Sequence, residues 1–214
     1  MIFKPDMLTL YAITDRKSFS DKEIALQVAL AIQGGATMIQ LREKNISNEI
    51  LVEIASKLVT TCHKYRVPLI INDNWEVAVM SGADGVHVGC NDTSVSEIRQ
   101  KTNKNFIIGA TAKTIQQAKK AELDGADYLG VGAVFPSSTK PNAIRIEKET
   151  VKTICKSVKI PVVLIGGITQ KNILQLSGLG GQGVALVSEI FSAPDIQQTC
   201  KNLKILSEQI VNYK

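Results

Sequence analysis

Eight times along this chain a short apolar run gives way to a stretch with the spacing of an amphipathic helix. The runs cover residues 8–13, 37–39 with the residues just after them, 68–71, 85–89, 106–109, 127–131, 160–165 and 183–187. Helical patterns follow over 21–33, from a Ser47 cap onward, and over 76–80, 95–101, 114–123, 147–157, 171–176 and 195–211. The strands are apolar at nearly every position, as parallel strands covered on both faces should be. Eight such units in 214 residues predict an α/β chain folded as a single (β/α)8 barrel, not an open doubly wound sheet. No GxGxxG turn follows the first run and no G-x-x-x-x-G-K loop occurs, which disfavours the nucleotide-binding folds. No linker or low-complexity tract divides the chain, so one domain over 1–214 is expected.

Composition narrows the classes further. No run of eighteen apolar residues occurs, and the first residues, Met1 to Asp6, lack the marks of a secretory signal. Cys62, Cys90, Cys155 and Cys200 are far apart and form no C-x-x-C pair, which argues against disulfides or zinc and for a cytoplasmic setting. Net charge is +5, but the cations are scattered and only 5% of residues are aromatic. That pattern disfavours nucleic acid or a membrane as partner and suits small phosphorylated substrates. Assembly into a homo-oligomer stays open.

Barrels of this kind work at the C-terminal ends of their strands, and the unusual polar residues gather there. After the second run, Gln40, Arg42 and Lys44 alternate onto one face while Ile39 and Leu41 take the other. Asn72 and Asp73 end the third run, Asp92 follows the fourth, and Thr111 the fifth. Ser137, Ser138, Thr139 and Lys140 follow the sixth, Gly166 and Gly167 end the seventh, and Ser188 follows the eighth.

Three kinds of chemistry are implied. The glycine pair, with Val187 and Ser188, fits a phosphate held by backbone N–H groups. Asp73 and Asp92 are hard oxygen ligands suited to Mg²⁺, although Asp92 ahead of Thr93-Ser94 also reads as a helix cap. Arg42, Lys44 and Lys140, with the Ser137 and Thr139 hydroxyls, suit a second, more highly charged group such as a departing diphosphate. No nucleophilic triad is present. His63 reads as a surface residue, His87 as a satisfied core histidine and Trp75 as packing. Cys90 lies near the mouth without a basic partner to activate it.

The runs Gln40-Leu41-Arg42-Glu43-Lys44, Ile71-Asn72-Asp73, Gly85-Val86-His87-Val88-Gly89 with Asp92, Phe135-Pro136-Ser137-Ser138-Thr139-Lys140, and Ile165-Gly166-Gly167-Ile168 resemble those of the thiamine phosphate synthases. The resemblance implies a transferase. It would join an aminopyrimidine diphosphate to a phosphorylated hydroxyethylthiazole, releasing pyrophosphate, with the bond to the leaving group breaking first. It also implies Mg²⁺ on Asp73 and Asp92, the diphosphate on Arg42, Lys44, Asn72 and Lys140, and the pyrimidine at Gln40 and Thr111. The thiazole phosphate would fall to Ser137, Thr139, Gly167, Val187 and Ser188. Cys90 stands where the family usually has Gln, Lys113 where many members have His, Thr111 where Ser is usual and Ser137 where Thr is usual. Two rival expectations are a related thiazole tautomerase, which relies on a histidine after the fifth strand, and a barrel that binds thiamine precursors without turnover.

Overall fold

Parallel strands close only when each presents side chains to two layers, and the alternation of this chain supplies both. The computed structural model describes residues 1–15, 24–136 and 144–211. Its strands are β1 (Leu10–Ile13), β2 (Met38–Leu41), β3 (Leu69–Asn72), β4 (Gly85–Val88), β5 (Ile107–Ala112), β6 (Tyr128–Val131), β7 (Val162–Ile165) and β8 (Gly183–Leu186). They pair in sequence order, all parallel, and β8 returns to β1 through Ala185 beside Tyr11, closing an eight-stranded barrel. The (β/α)8 architecture expected from the sequence is the one found.

One set of alternating residues points into the barrel: Tyr11, Met38, Ile70, Ile107, Tyr128, Val163 and Ala185 form a single internal cluster. Their neighbours, such as Leu10, Ile39, Leu69, Val86, Ile108 and Leu164, face outward into a larger cluster shared with the helices. Those helices are α1 (Ile24–Gln33), α2 (Asn48–Lys64), α3 (Trp75–Ser81), α4 (Val95–Lys101), α5 (Ile115–Leu123), α6 (Lys148–Ser157), α7 (Ser188–Phe191) and α8 (Ile196–Val211). Side chains of Ser47, Asn74, Ser94 and Thr114 cap α2 to α5 by accepting from a backbone N–H three residues on, satisfying donors the first turn leaves open. A 3-10 turn, Pro5–Leu8, leads into β1, and Phe3 stacks on Tyr128 at 5.7 Å, so the N-terminal end of the barrel is filled.

Three boundaries differ from expectation for physical reasons. The predicted helix over 171–176 is a 3-10 turn, Ile173–Leu176. Asn172 is taken up as a loop staple, donating to the Gly167 carbonyl at 2.9 Å and accepting from the Thr169 N–H at 2.8 Å. The short α7 went unread because four residues carry no periodicity. Strand β5 runs on to Ala112 instead of stopping at Gly109. A Cβ on Gly109 would lie 2.2 Å from the Tyr128 ring and 2.5 Å from His87 Nδ1, so this glycine provides space inside the barrel and does not break the strand. The start of the first helix, read at Ser20 and Asp21, lies outside the described residues.

Candidate active site

The mouth at the C-terminal strand ends encloses a cavity of about 450 Å³, a size that suits small organic ligands. Gln40, Arg42, Asn72, Gly167, Val187 and Ser188, six of the residues singled out from the sequence, line it. Gln40 is 2% exposed and sits at the end of β2. Its Nε2 donates to the Tyr11 hydroxyl at 2.7 Å. Arg42 lies just beyond β2, where its backbone N–H is held by Thr14 Oγ1 at 3.0 Å. Lys44 is two residues further on and exposed, so the row expected along one strand face continues past the strand end.

Asp73 and Asp92 meet beside this wall. Asp73 adopts φ 64°, a left-handed conformation in which aspartate is one of the more tolerated residues. Its N–H is tied to the His87 carbonyl at 2.8 Å, anchoring it to β4. Asp92 Oδ2 accepts from the Gly89 N–H at 2.7 Å, and the cap of α4 is Ser94, so the capping role considered for Asp92 is not the one it plays. The two carboxyls lie close enough to act on each other's charge. Burial first, then the Asp92 charge, raises the Asp73 carboxyl above its ordinary value, while Lys44 and Asn72 pull it back. Two carboxyl groups close together on neighbouring strand ends form a donor set short of positive charge. The chemistry of such a set, two hard oxygen donors, would fit a divalent cation. Among the described residues no cluster of three or more His, Cys, Asp or Glu that could hold a metal ion gathers.

The opposite wall is made of backbone. Gly166 has φ 103° and Gly167 φ 63°, values that glycine adopts without strain. The segment after β6 packs directly on them. A Cβ on Gly166 would lie 2.6 Å from Ala133 Cα, and one on Gly167 2.1 Å from the Pro136 carbonyl oxygen. The Phe135 N–H donates to the Gly166 carbonyl at 3.0 Å. Val187 is the residue before α7, and Ser188 opens it, and both line the cavity together with the two glycines. Ser137, Thr139 and Lys140 lie outside the described residues.

Thr111 lies within β5, and its Oγ1 meets His87 Nε2 at 3.0 Å. His87 Nδ1 meets the Tyr128 hydroxyl at 3.1 Å. The reading of His87 as satisfied holds, but its ring faces the cavity and not the outer core. Sequence reasoning passed over Tyr11 and Tyr128 as site residues, although their inward register was readable from the alternation. Lys113 also lines the cavity, its N–H fixed by Gln117 Oε1 at 2.8 Å. His63 is a surface residue, with Nε2 2.9 Å from Asp84. Trp75 packs against the core under Lys101, whose Nζ lies 5.3 Å from the ring. Cys90 is exposed, with Sγ 3.5 Å from the Thr111 carbonyl. Burial pushes the other three thiols up, to about 12 for Cys62 and Cys200 and about 11 for Cys155, which leaves them unreactive.

Comparison with known proteins gives a consistent result. The family model for thiamine monophosphate synthase matches residues 10–190. A thiamine-phosphate synthase of Fusobacterium nucleatum is 43% identical over 194 residues, 91% of this chain and 94% of its own. One from Enterococcus faecalis is 40% identical over 206 residues, 96% of this chain and 97% of its own. The solved structure of a thiamine phosphate pyrophosphorylase from Pyrococcus furiosus aligns with a TM-score of 0.89 at 35% identity, covering 97% of this chain and 99% of that one. The chain belongs to the thiamine monophosphate synthase family.

Proposed function

We propose that this chain is a transferase that joins an aminopyrimidine diphosphate to a thiazole phosphate, yielding thiamine phosphate and pyrophosphate. The observation that carries the reading is the approach of Asp73 to Asp92 next to Lys44 and Asn72, across the mouth from a glycine-built turn. One wall suits a polyanion that changes charge and the other suits a phosphate that does not. The names of the relatives support the same reaction.

In this reading the pyrimidine lies between Gln40 and Thr111, and its diphosphate points toward Asn72, Arg42, Lys44 and Lys140. Asp73 and Asp92 would hold Mg²⁺, which supplies positive charge to the diphosphate oxygens. The C–O bond to the leaving group breaks first, and its electron pair goes to pyrophosphate. The cations of Arg42, Lys44 and Lys140 stabilise that developing charge, which is largest in the transition state. Gly167, Val187 and Ser188, with the Ser137 and Thr139 hydroxyls, hold the thiazole phosphate so that the ring nitrogen faces the pyrimidine methylene carbon. The nitrogen lone pair then forms the new bond. No general base is required, because the thiazole nitrogen carries no proton, and positioning supplies the remaining advantage. The reaction belongs in the cytoplasm, where free thiols such as the four here stay reduced. No described helix is long and apolar enough to cross a membrane.

The test is product analysis with both substrates present. Equal amounts of thiamine phosphate and pyrophosphate are expected. Conversion of the thiazole phosphate alone, or retention of both ligands without pyrophosphate, would replace this reading by an isomerase or a binding protein.

A further inference from the structure

Gln40, Tyr11 and His87 line the cavity, and one unbroken run of hydrogen bonds joins them through Tyr128 and on to Thr111. Gln40 Nε2 reaches the Tyr11 hydroxyl at 2.7 Å, and the Tyr11 and Tyr128 hydroxyls meet at 2.9 Å. Tyr128 then meets His87 Nδ1 at 3.1 Å, and His87 Nε2 meets Thr111 Oγ1 at 3.0 Å. The run spans the barrel from β2 to β5, and room for it is built in. Cβ atoms on Gly109 and Gly130 would lie 2.5 Å and 3.0 Å from the His87 ring. Both tyrosines are fully buried, and burial raises both phenols, so they stay neutral and each keeps one proton to give.

Such a run has a direction. Gln40 gives an N–H to Tyr11. Among the described residues the only other partner of the Tyr11 hydroxyl is Tyr128, so its proton goes there. The Tyr128 proton goes in turn to His87 Nδ1, since among the described residues the Tyr128 hydroxyl also has just these two hydrogen-bond partners. A neutral imidazole that accepts at Nδ1 carries its proton on Nε2 and donates it to Thr111. We infer that the Tyr11–Tyr128–His87 run is a positioning device that fixes the hydrogen-bond polarity of the groups it joins: an acceptor, Gln40 Oε1, at one end and a donor, the Thr111 hydroxyl, at the other.

This inference rests on the proposed placement of the pyrimidine between Gln40 and Thr111, and it explains which pyrimidine is taken. A 4-amino ring offers an N–H to Gln40 Oε1 and a ring nitrogen to the Thr111 hydroxyl. The 4-oxo analogue sets a carbonyl against Gln40 Oε1, and two acceptors then face each other in a buried site. Turning the Gln40 amide over would admit the analogue, but Nε2 would then leave Tyr11 and every bond behind it would have to reverse. Specificity is therefore held by the whole run and not by Gln40 and Thr111 alone.

The test combines spectroscopy with specificity. The chain has two histidines, so ¹⁵N NMR of histidine-labelled protein resolves His87 from His63. The wild type is expected to show His87 as the neutral tautomer protonated at Nε2. Tyr128→Phe removes the hydroxyl that holds Tyr11 to its direction and lets the Gln40 amide turn. The preference for the 4-amino over the 4-oxo pyrimidine diphosphate, as a ratio of kcat/KM, should fall about tenfold or more, with KM for the thiazole phosphate unchanged. Tyr11→Phe should relax the same ratio. An Nδ1-protonated His87 in the wild type, or an unchanged ratio in both variants, overturns the inference. A wild type that forms no pyrophosphate defeats the proposed function instead, and the tautomer still decides the direction of the run.

Discussion

Between β2 and β4 the mouth of this barrel presents charged side chains, whereas between β7 and β8 it presents largely backbone. Arg42, Lys44, Asp73 and Asp92 carry net charges, and Asp73 and Asp92 act on each other. Gly166, Gly167 and the start of α7 offer fixed dipoles that no pH change alters. The difference matches two tasks. A leaving group that gains charge along the reaction needs strong, adjustable stabilisation, while a phosphate that serves only as a handle needs a rigid cradle.

Substitutions on each side should separate the two tasks. Asp73→Asn should have the largest effect, lowering kcat by roughly 10²–10³-fold with little change in KM for the thiazole phosphate. In thermal melts, Mg²⁺ should stabilise the wild type and leave this variant unmoved. Gly167→Ala attacks the other wall, since the new Cβ would stand 2.1 Å from the Pro136 carbonyl oxygen at φ 63°. It should raise KM for the thiazole phosphate by about 30-fold while Mg²⁺ protection survives. Arg42→Lys keeps the charge and loses the planar fork, and should cost about tenfold in kcat/KM for the pyrimidine diphosphate. If Gly167→Ala abolished Mg²⁺ protection as well, the two walls would be one site and the comparison would fail.

The smallest effect concerns stability. The Asp73 carboxyl is raised in the folded protein by burial and by Asp92. In the absence of metal its protonated form therefore favours folding, and that contribution is lost as pH rises through the raised value. Asp73→Asn should melt later than the wild type in chelator at neutral pH, and the gap should close as the pH falls. A wild type that gained stability over the same rise, relative to the variant, would show that the contact is not as described.

Much of this was legible in the sequence because the chemistry is periodic. The strands announce themselves since both faces are buried, as Leu69, Ile70 and Ile71 are. The rim residues follow because polar groups at the ends of apolar strands need a partner. What stayed hidden depends on packing between strands. Gly109 reads as a breaker in one dimension, and only the approach of Tyr128 and His87 reveals it as a space. His87 has the right alternation for an inward residue, but whether the inside at that level is core or cavity depends on the neighbouring glycines. Lys113 stands out in the sequence only as a departure from the family, and its place in the cavity lining follows from the strand before it extending to Ala112.

The most direct measurement is pyrophosphate formation from both substrates with Mg²⁺ and then with excess chelator. This account predicts that chelation stops release and that added Mg²⁺ restores it. Full activity in chelator would contradict it, leaving Asp73 and Asp92 without the role given to them.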